Sequence, residues 1–254
     1  MISLYNKDCL EVMAQLETGS VDMILTDPPY YSTDLKFDKA PRIDFEFWLK
    51  ECQRILNPHG VLVSFADFNL LADLRSKSPF KSTYELIWQK TRAVGFLDAN
   101  RRPLRAHEFI GVFMNGMNKA TYHPQKTADE AYVTKQGSTA TSIYGTSKGS
   151  YITESDGLRH PHSIIKSKSS NKNNHTVHQT QKPLHLCEWL IKTYSNDGET
   201  VFDGFMGSGS SGVAALNNNR KFIGCELDLN YFEMAKKRID NSKLDLMSYA
   251  REAC

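Results

Sequence analysis

The 254-residue chain has no uninterrupted run of 18 apolar residues, so no membrane-spanning helix is expected. Cysteine is scarce: Cys9, Cys52, Cys187, Cys225 and Cys254 are odd in number, widely scattered and form no CxxC pair. That spacing offers no disulfide framework and fits a reducing cytoplasm. The opening stretch, Met1-Ile2-Ser3-Leu4-Tyr5-Asn6-Lys7-Asp8, lacks the basic and apolar regions of a secretory leader, and a cytoplasmic location is expected. Internal repeats are absent. His160-Pro161-His162 and His175-x-x-His178 are expected to meet solvent or phosphate, and no metal site is expected.

With 40% hydrophobic and 11% aromatic residues, the chain can bury a packed core. Its length suits one α/β domain with an appendage, or two small domains. The net charge of +2 says little, but its distribution is uneven. Residues 81–180 hold fourteen Lys and Arg against seven Asp and Glu, and six of the eight histidines. The remainder is mildly acidic. A local positive surface suits a polyanionic partner, with a merely solvated loop as the alternative.

Short apolar runs alternate with helical spacing at both ends of the chain. Residues 2–5, 21–25, 61–65, 84–88, 109–114, 200–202 and 222–225 read as strands. Helices are expected over 45–56, 184–194, 210–217 and 229–239. Seven strands separated mostly by helices predict an α/β class, a doubly wound and mostly parallel sheet. Residues 118–180 differ, being poor in large aliphatics and rich in Ser, Thr, Asn, Lys, His and Gly. They read as a weakly ordered insertion. The expected division is therefore 1–117 with 178–240 as one body, 118–177 as the insertion and 241–254 as a trailing helix or tail.

Residues 200–212 form a strand that runs into a glycine turn and then a helix. Gly207 and Gly209 can take positive φ and admit a ligand close to the backbone, with helix N-terminal amides beyond them. Glu226 ends the next strand, where a carboxylate can accept from ribose hydroxyls. The pattern Gly207-x-Gly209-x-x-Gly212 also matches the dinucleotide fingerprint of NAD enzymes. Asp203 at the strand's end argues against that reading, since it would repel a pyrophosphate but welcome a cation. A glycine turn that serves only helix packing is the structural alternative.

Thr26-Asp27-Pro28-Pro29-Tyr30-Tyr31 follows directly on the second strand, at the sheet edge where doubly wound folds bind ligands. Two prolines fix φ and remove two donors, leaving carbonyls in a rigid turn. Asp27 and the Pro28 carbonyl can each accept an N–H of a primary amine, while Tyr30 offers a flat face to a base. An exocyclic amine is a poor nucleophile because its lone pair is conjugated. Two acceptors can draw it toward tetrahedral geometry and stabilise the charge that develops. A plain Pro-Pro turn is the bland alternative.

Asp27-Pro28-Pro29-Tyr30 near the start, with Phe205-Met206-Gly207-Ser208-Gly209 near the end, resembles the DNA amino-methyltransferase family, in the motif order of its permuted β class. Lys7-Asp8-Cys9-Leu10-Glu11 is similar to the family's opening segment, whose acidic residue reaches the adenine of the cofactor. Gln179-Thr180-Gln181-Lys182-Pro183-Leu184 is similar to its TQKP segment, which grips the methionine end. Arg101-Arg102-Pro103-Leu104-Arg105-Ala106-His107-Glu108 resembles the segment entering the last strand hairpin. Gly204 stands where the family commonly has Pro, and Ser210 replaces a frequent Thr.

The resemblance implies a Rossmann-like methyltransferase that uses S-adenosylmethionine to methylate the N6 of adenine in double-stranded DNA, after flipping the base. It implies catalytic roles for Asp27, Pro28, Pro29 and Tyr30. Asp8, Cys9, Asp27, Lys182, Asp203, Phe205, Gly207, Ser208, Gly209 and Glu226 are implied at the cofactor. Arg101, Arg102, Arg105, Lys166 and Lys168 are expected on DNA, and 118–177 in target recognition. A homodimer and a companion restriction endonuclease stay open. The rivals are cytosine N4 methylation, whose enzymes more often carry Ser at the Asp27 position, and an RNA or protein-amide methyltransferase, where Asn is commoner. A catalytically silent nucleic-acid-binding subunit and an NAD oxidoreductase are more distant.

Overall fold

The computed structural model describes residues 1–31, 42–136, 140–141, 145–146, 151–168 and 181–252. Two compact units divide the chain: Met1–His123 with Ser163–Cys254, and Pro124–His162.

In the first unit the chain begins with β1 (Ile2–Tyr5), α1 (Cys9–Met13), β2 (Val21–Thr26), α2 (Phe45–Ile55), β3 (Leu56–Ala66) and α3 (Phe68–Lys77). β4 (Ser82–Val94) and β5 (Arg105–Met114) then form a hairpin. The second unit supplies β6 (Thr127–Ala128), β7 (Tyr132–Gln136), β8 (Ala140–Thr141), β9 (Gly145–Thr146), β10 (Tyr151–Ser155) and β11 (Leu158–Arg159). The first unit resumes with β12 (Ile164–Ser167), α4 (Leu184–Tyr194), β13 (Thr200–Asp203), α5 (Ser210–Asn217), β14 (Lys221–Cys225) and α6 (Leu229–Glu252).

The sheet of the first unit runs β1-β14-β13-β2-β3-β5-β4-β12. Only β5 is antiparallel to its neighbours. All seven expected strands are present, but the sheet has eight, because β12 joins its edge in parallel with β4. That pairing also returns residues 163–168 to the first unit, so the compact second unit is narrower than the expected 118–177. Of the two forms expected for 241–254, a trailing helix or a tail, the described residues take the helix, as α6 continues to Glu252.

The near-continuous burial of β2 is the mark of a central parallel strand covered on both faces. Alternation along the strands sends Met23, Leu25, Val61, Val63 and Phe65 to one side, against Leu186, Leu190 and Ile191 of α4 and residues of α5 and α6. Ile24, Leu62 and Ala66 face the other side, against α1, α2 and α3. α2 buries Phe45, Trp48, Leu49, Cys52 and Ile55, one helical stripe, and the Asp44 carboxylate caps its first turn by accepting from Glu46 N and Phe47 N. These helices hold the sheet rigid, so the loops leaving its carboxyl edge sit on a fixed base.

In the second unit β7 pairs with β10 and β6 with β11, all antiparallel. Its described large apolar side chains, Tyr132, Val133, Ile152 and Leu158, are all exposed. Arg159 ties the unit together through polar contacts instead: it donates to Ser155 Oγ and the Glu130 carbonyl, lies 3.3 Å from Asp129 and stacks 4.7 Å from the Tyr132 ring centre.

Candidate active site

Five adjacent parallel strands each deliver a carboxylate to the same edge of the sheet. Asp8 follows β1, Glu226 follows β14, Asp203 ends β13, Asp27 follows β2 and Asp67 follows β3. Such a row disfavours an anion and favours a cation. Asp8 and Asp67 cap the helices that follow them, accepting from Leu10 N and Leu70 N.

The glycine turn leads from β13 into α5. Gly207 and Gly209 both take positive φ, +50° and +75°. A Cβ on Gly207 would meet nothing within 4 Å, so the backbone there is open to a ligand. Gly212 serves packing, since a Cβ there would lie 2.5 Å from Ile239 of α6. Glu226 clamps the turn: Oε2 accepts from Gly207 N at 2.9 Å and Oε1 from Asp228 N at 2.9 Å. Burial raises its pKa. Glu226 thus shapes the turn as well as presenting a carboxylate beside it. Arg238 of α6, which sequence reasoning missed, donates to the Ser208 carbonyl and to Ser210 Oγ and braces the other side.

Asp203 is buried, and its carboxylate accepts from Thr26 Oγ1 (2.8 Å), Phe205 N (3.0 Å) and Ser211 Oγ. Desolvation outweighs these donors and pushes its pKa up to about 7. A cleft opens here, lined by Asp27, Lys182, Asp203, Phe205, Gly207 and Ser208 among others. The structure therefore brings the tetrad's aspartate, the glycine turn and Lys182 together in one place. Phe205 sits 6.0 Å from the Trp48 ring and ties the cleft wall to α2. Cys9 is buried next to Gly204, and desolvation pushes its thiol up to about 12. A neutral packed thiol agrees with the lack of any activating partner in the sequence.

Asp27 has both oxygens engaged. Tyr30 OH donates to Oδ1 at 2.8 Å and Lys182 Nζ to Oδ2 at 2.5 Å. Burial, and then the Asp27 charge, push the Tyr30 phenol well above its ordinary pKa, so it remains a donor. The Lys182 ammonium, only 10% exposed, lies 5.6 Å from the Tyr30 ring centre and 5.0 Å from that of Phe65. Burial opposes its charge, yet Asp27 and Glu108 more than offset this and raise its pKa. Glu108, on β5, lies 3.6 Å from Lys182 and ion-pairs with Lys90 of β4. Burial would raise the Glu108 carboxyl, but Lys182 and Lys90 hold it below the usual carboxylate range. Neither Glu108 nor Lys90 was assigned a role from sequence. The available signal was a lone carboxylate at the head of an apolar run.

Arg101 and Arg102 lie in the loop between β4 and β5, and Arg105 opens β5 opposite Val94; all three are exposed. β5 meets β3 only from Phe109 onward, so the hairpin stands roughly 13 Å beyond the end of β3. It does so on the Asp27 side of the sheet. Lys166 is exposed on β12, opposite Gln89, and Lys168 is exposed just beyond that strand. These basic residues share the β5-β4-β12 end of the sheet with Lys90. No group of three metal-ligating side chains occurs among the described residues, and His175 and His178 lie outside them. Of the TQKP segment, Gln179 and Thr180 also lie outside the described residues.

The chain matches the DNA methylase family over residues 21–237. The Type II methyltransferase M.HpaI of Haemophilus parainfluenzae is 29% identical over 253 residues, covering 92% of this chain and 73% of the relative. Among solved structures, the M1.HpyAVI–SAM complex has a TM-score of 0.64 at 28% identity, over 94% of this chain and 99% of that one. PvuII DNA methyltransferase, described as cytosine-N4-specific, shares the fold at a TM-score of 0.65 and 16% identity, over 95% and 90% of the two chains. The family match runs from β2 into α6 and takes in both halves of the cleft, and the chain belongs to the DNA methylase family.

Proposed function

We propose that this DNA methyltransferase moves a methyl group from S-adenosylmethionine to the N6 amine of an adenine flipped out of duplex DNA. The observation that carries the reading is the nitrogen already held by the tetrad: the Lys182 ammonium binds Asp27 at 2.5 Å and lies over the Tyr30 ring. An acceptor and an aromatic face that hold one cationic nitrogen suit another, the amine that becomes positive during attack. Asp27 itself favours adenine over cytosine, since the cytosine members of the family more often have Ser there.

The donor set fits the cofactor. Asp203, Glu226 and Asp8 line up along adjacent strand ends, where a dinucleotide pyrophosphate would be repelled and a cation attracted. These three, with Lys182, Phe205, Ser208 and the turn at Gly207 and Gly209, would hold the cofactor. Cys9 would contribute packing beneath it. S-adenosylmethionine supplies a methyl group already activated on a sulfonium. The protein's task is then mainly orientation. Asp27 and the Pro28 carbonyl accept the two amine hydrogens, Pro29 keeps the turn stiff, and the Tyr30 ring supports the base. Residues 118–177 are proposed to read the target sequence.

The test is incubation with labelled cofactor and unmethylated DNA, followed by nucleoside analysis. N6-methyladenine is expected, and N4-methylcytosine as sole product would overturn the base assignment. A second expectation concerns the hairpin. Replacing Arg101, Arg102 and Arg105 together with Ala should weaken DNA binding and lower the slope of log affinity against log salt by up to about 3. An unchanged slope would mean that these residues do not touch phosphate.

A further inference from the structure

Asp27 is occupied by its own lysine. An ammonium at 2.5 Å is a stronger donor than a conjugated amine, and it neutralises the carboxylate that must stabilise a developing positive charge. If Lys182 kept this position during transfer, it would also repel that charge. The lysine therefore needs a second place to go, within the reach of its side chain and without exposing its charge unpaired in a buried site.

That place is on the next carboxylate. Among the described residues, only two buried side-chain polar atoms lack a hydrogen-bond partner, and one of them is Glu108 Oε2. It lies 3.6 Å from Lys182 Nζ, so a movement of under about 1 Å brings it to hydrogen-bonding distance. The other Glu108 oxygen is pinned by Lys90, whose ammonium lies 5.0 Å from the Trp88 ring centre. Trp88 and Glu108 are themselves paired across β4 and β5, so the receiving carboxylate sits on rigid backbone. Two carboxylates and two ammoniums are present before and after the shift. No proton changes hands, and neither ammonium is left unpaired, while Asp27 keeps the Tyr30 hydroxyl as its donor.

Resting on the methyl-transfer reading above, we propose that Glu108 is a positioning residue that draws Lys182 off Asp27 as the target amine enters. Asp27 then meets the amine with its full charge. Glu108 does not touch the substrate; it acts through Lys182.

A double-mutant cycle tests this, with single-turnover transfer at saturating cofactor, cofactor titration and thermal melting for each protein. Glu108→Gln should slow transfer about 10- to 100-fold, while the cofactor dissociation constant stays within about threefold. In a Lys182→Met background there is no ammonium to draw away, and Glu108→Gln should then cost less than about threefold. A purely structural Glu108 would instead lower melting temperature and rate in both backgrounds alike. Equal losses in the two backgrounds, or a Glu108→Gln enzyme within threefold of wild type, would overturn the inference. As a readout apart from activity, the 15N resonance of the Lys182 ammonium should move on addition of target duplex and sinefungin, and stay put in Glu108→Gln; movement in both proteins would count against it. A wild-type protein that transfers no methyl group to DNA overturns the underlying reading. An active wild type with additive losses overturns only the lysine shift.

Discussion

Replacing Asp27 with Ala should slow single-turnover methyl transfer by on the order of 10²–10³, the usual cost of losing one preorganised electrostatic partner. The cofactor's dissociation constant should change by less than about threefold, because the proposed reading gives Asp27 the amine and leaves the cofactor mainly to Asp203, Glu226 and the glycine turn. Asp27 is fixed on two sides, by the Tyr30 hydroxyl and by the turn that follows β2, so little reorganisation is needed as charge develops. The variant also deprives Lys182 of its nearest anion. An unpaired buried ammonium would cost about 3–5 kcal/mol of stability, but Glu108 stands 3.6 Å away and should hold the loss well below that. Melting temperature therefore separates a catalytic defect from a folding one. Asp27→Asn keeps one acceptor, which can stay on the Lys182 ammonium while the NH₂ turns to the Tyr30 hydroxyl, but it removes the charge. Its defect should be intermediate or as severe. Transfer by Asp27→Ala at near the wild-type rate would remove the tetrad from the mechanism.

What could be read in the sequence was whatever is local. The spans of α4 and α5 coincide with the expected 184–194 and 210–217, because turn residues bound each run, α4 an amphipathic one and α5 one of small residues that is buried on all sides. The Asp-Pro-Pro-Tyr turn and the glycine turn were legible for the same reason. β12 was not. It has only four residues, and Ile164 and Lys166 are both exposed, so nothing in its own pattern marks it as a strand. Its structure comes from the edge of β4, a tertiary contact. α1 has five residues, too few for a helical period to show. α3 carries Leu70, Leu71 and Leu74 under an Asp67 cap, a readable signal that the strand-and-helix alternation passed over.

The site divides in the same way. Asp27 and Gly207 announce themselves through neighbours in the chain. The Lys90–Glu108–Lys182–Asp27 array links β4, β5, the segment before α4 and the loop after β2, and no sequence window contains more than one of its members beyond the hairpin pair. Arg238 likewise reaches the glycine turn from a helix that reads, on its own, as an ordinary amphipathic stretch.

The affinity for S-adenosylmethionine should rise with pH up to about 7 and then level off. Asp203 lines the cleft, and desolvation pushes its carboxyl to about 7 from the ordinary aspartate value of 3.8. Between those values the native protein holds a proton that the unfolded chain has lost. The contribution of Asp203 to stability is therefore full below about 4 and declines as pH rises through 7. A cationic ligand reverses the preference, because it favours the ionised carboxylate and so expels the proton. Below pH 7 each unit should change affinity by about tenfold, the linkage for one proton released on binding. Burial raises Glu226 as well, so a second group contributes in the same direction. Asp203→Asn isolates the first: it should bind the cofactor more weakly at pH 8 and with a much flatter pH dependence. Calorimetric titration in two buffers of different ionisation enthalpy measures the released proton directly. Melting curves with and without cofactor supply the stability side, where the cofactor's protection should grow from pH 5.5 to 8. If wild-type affinity is constant over that range, Asp203 keeps one protonation state throughout and serves only to tie Thr26 and Ser211 beneath the glycine turn.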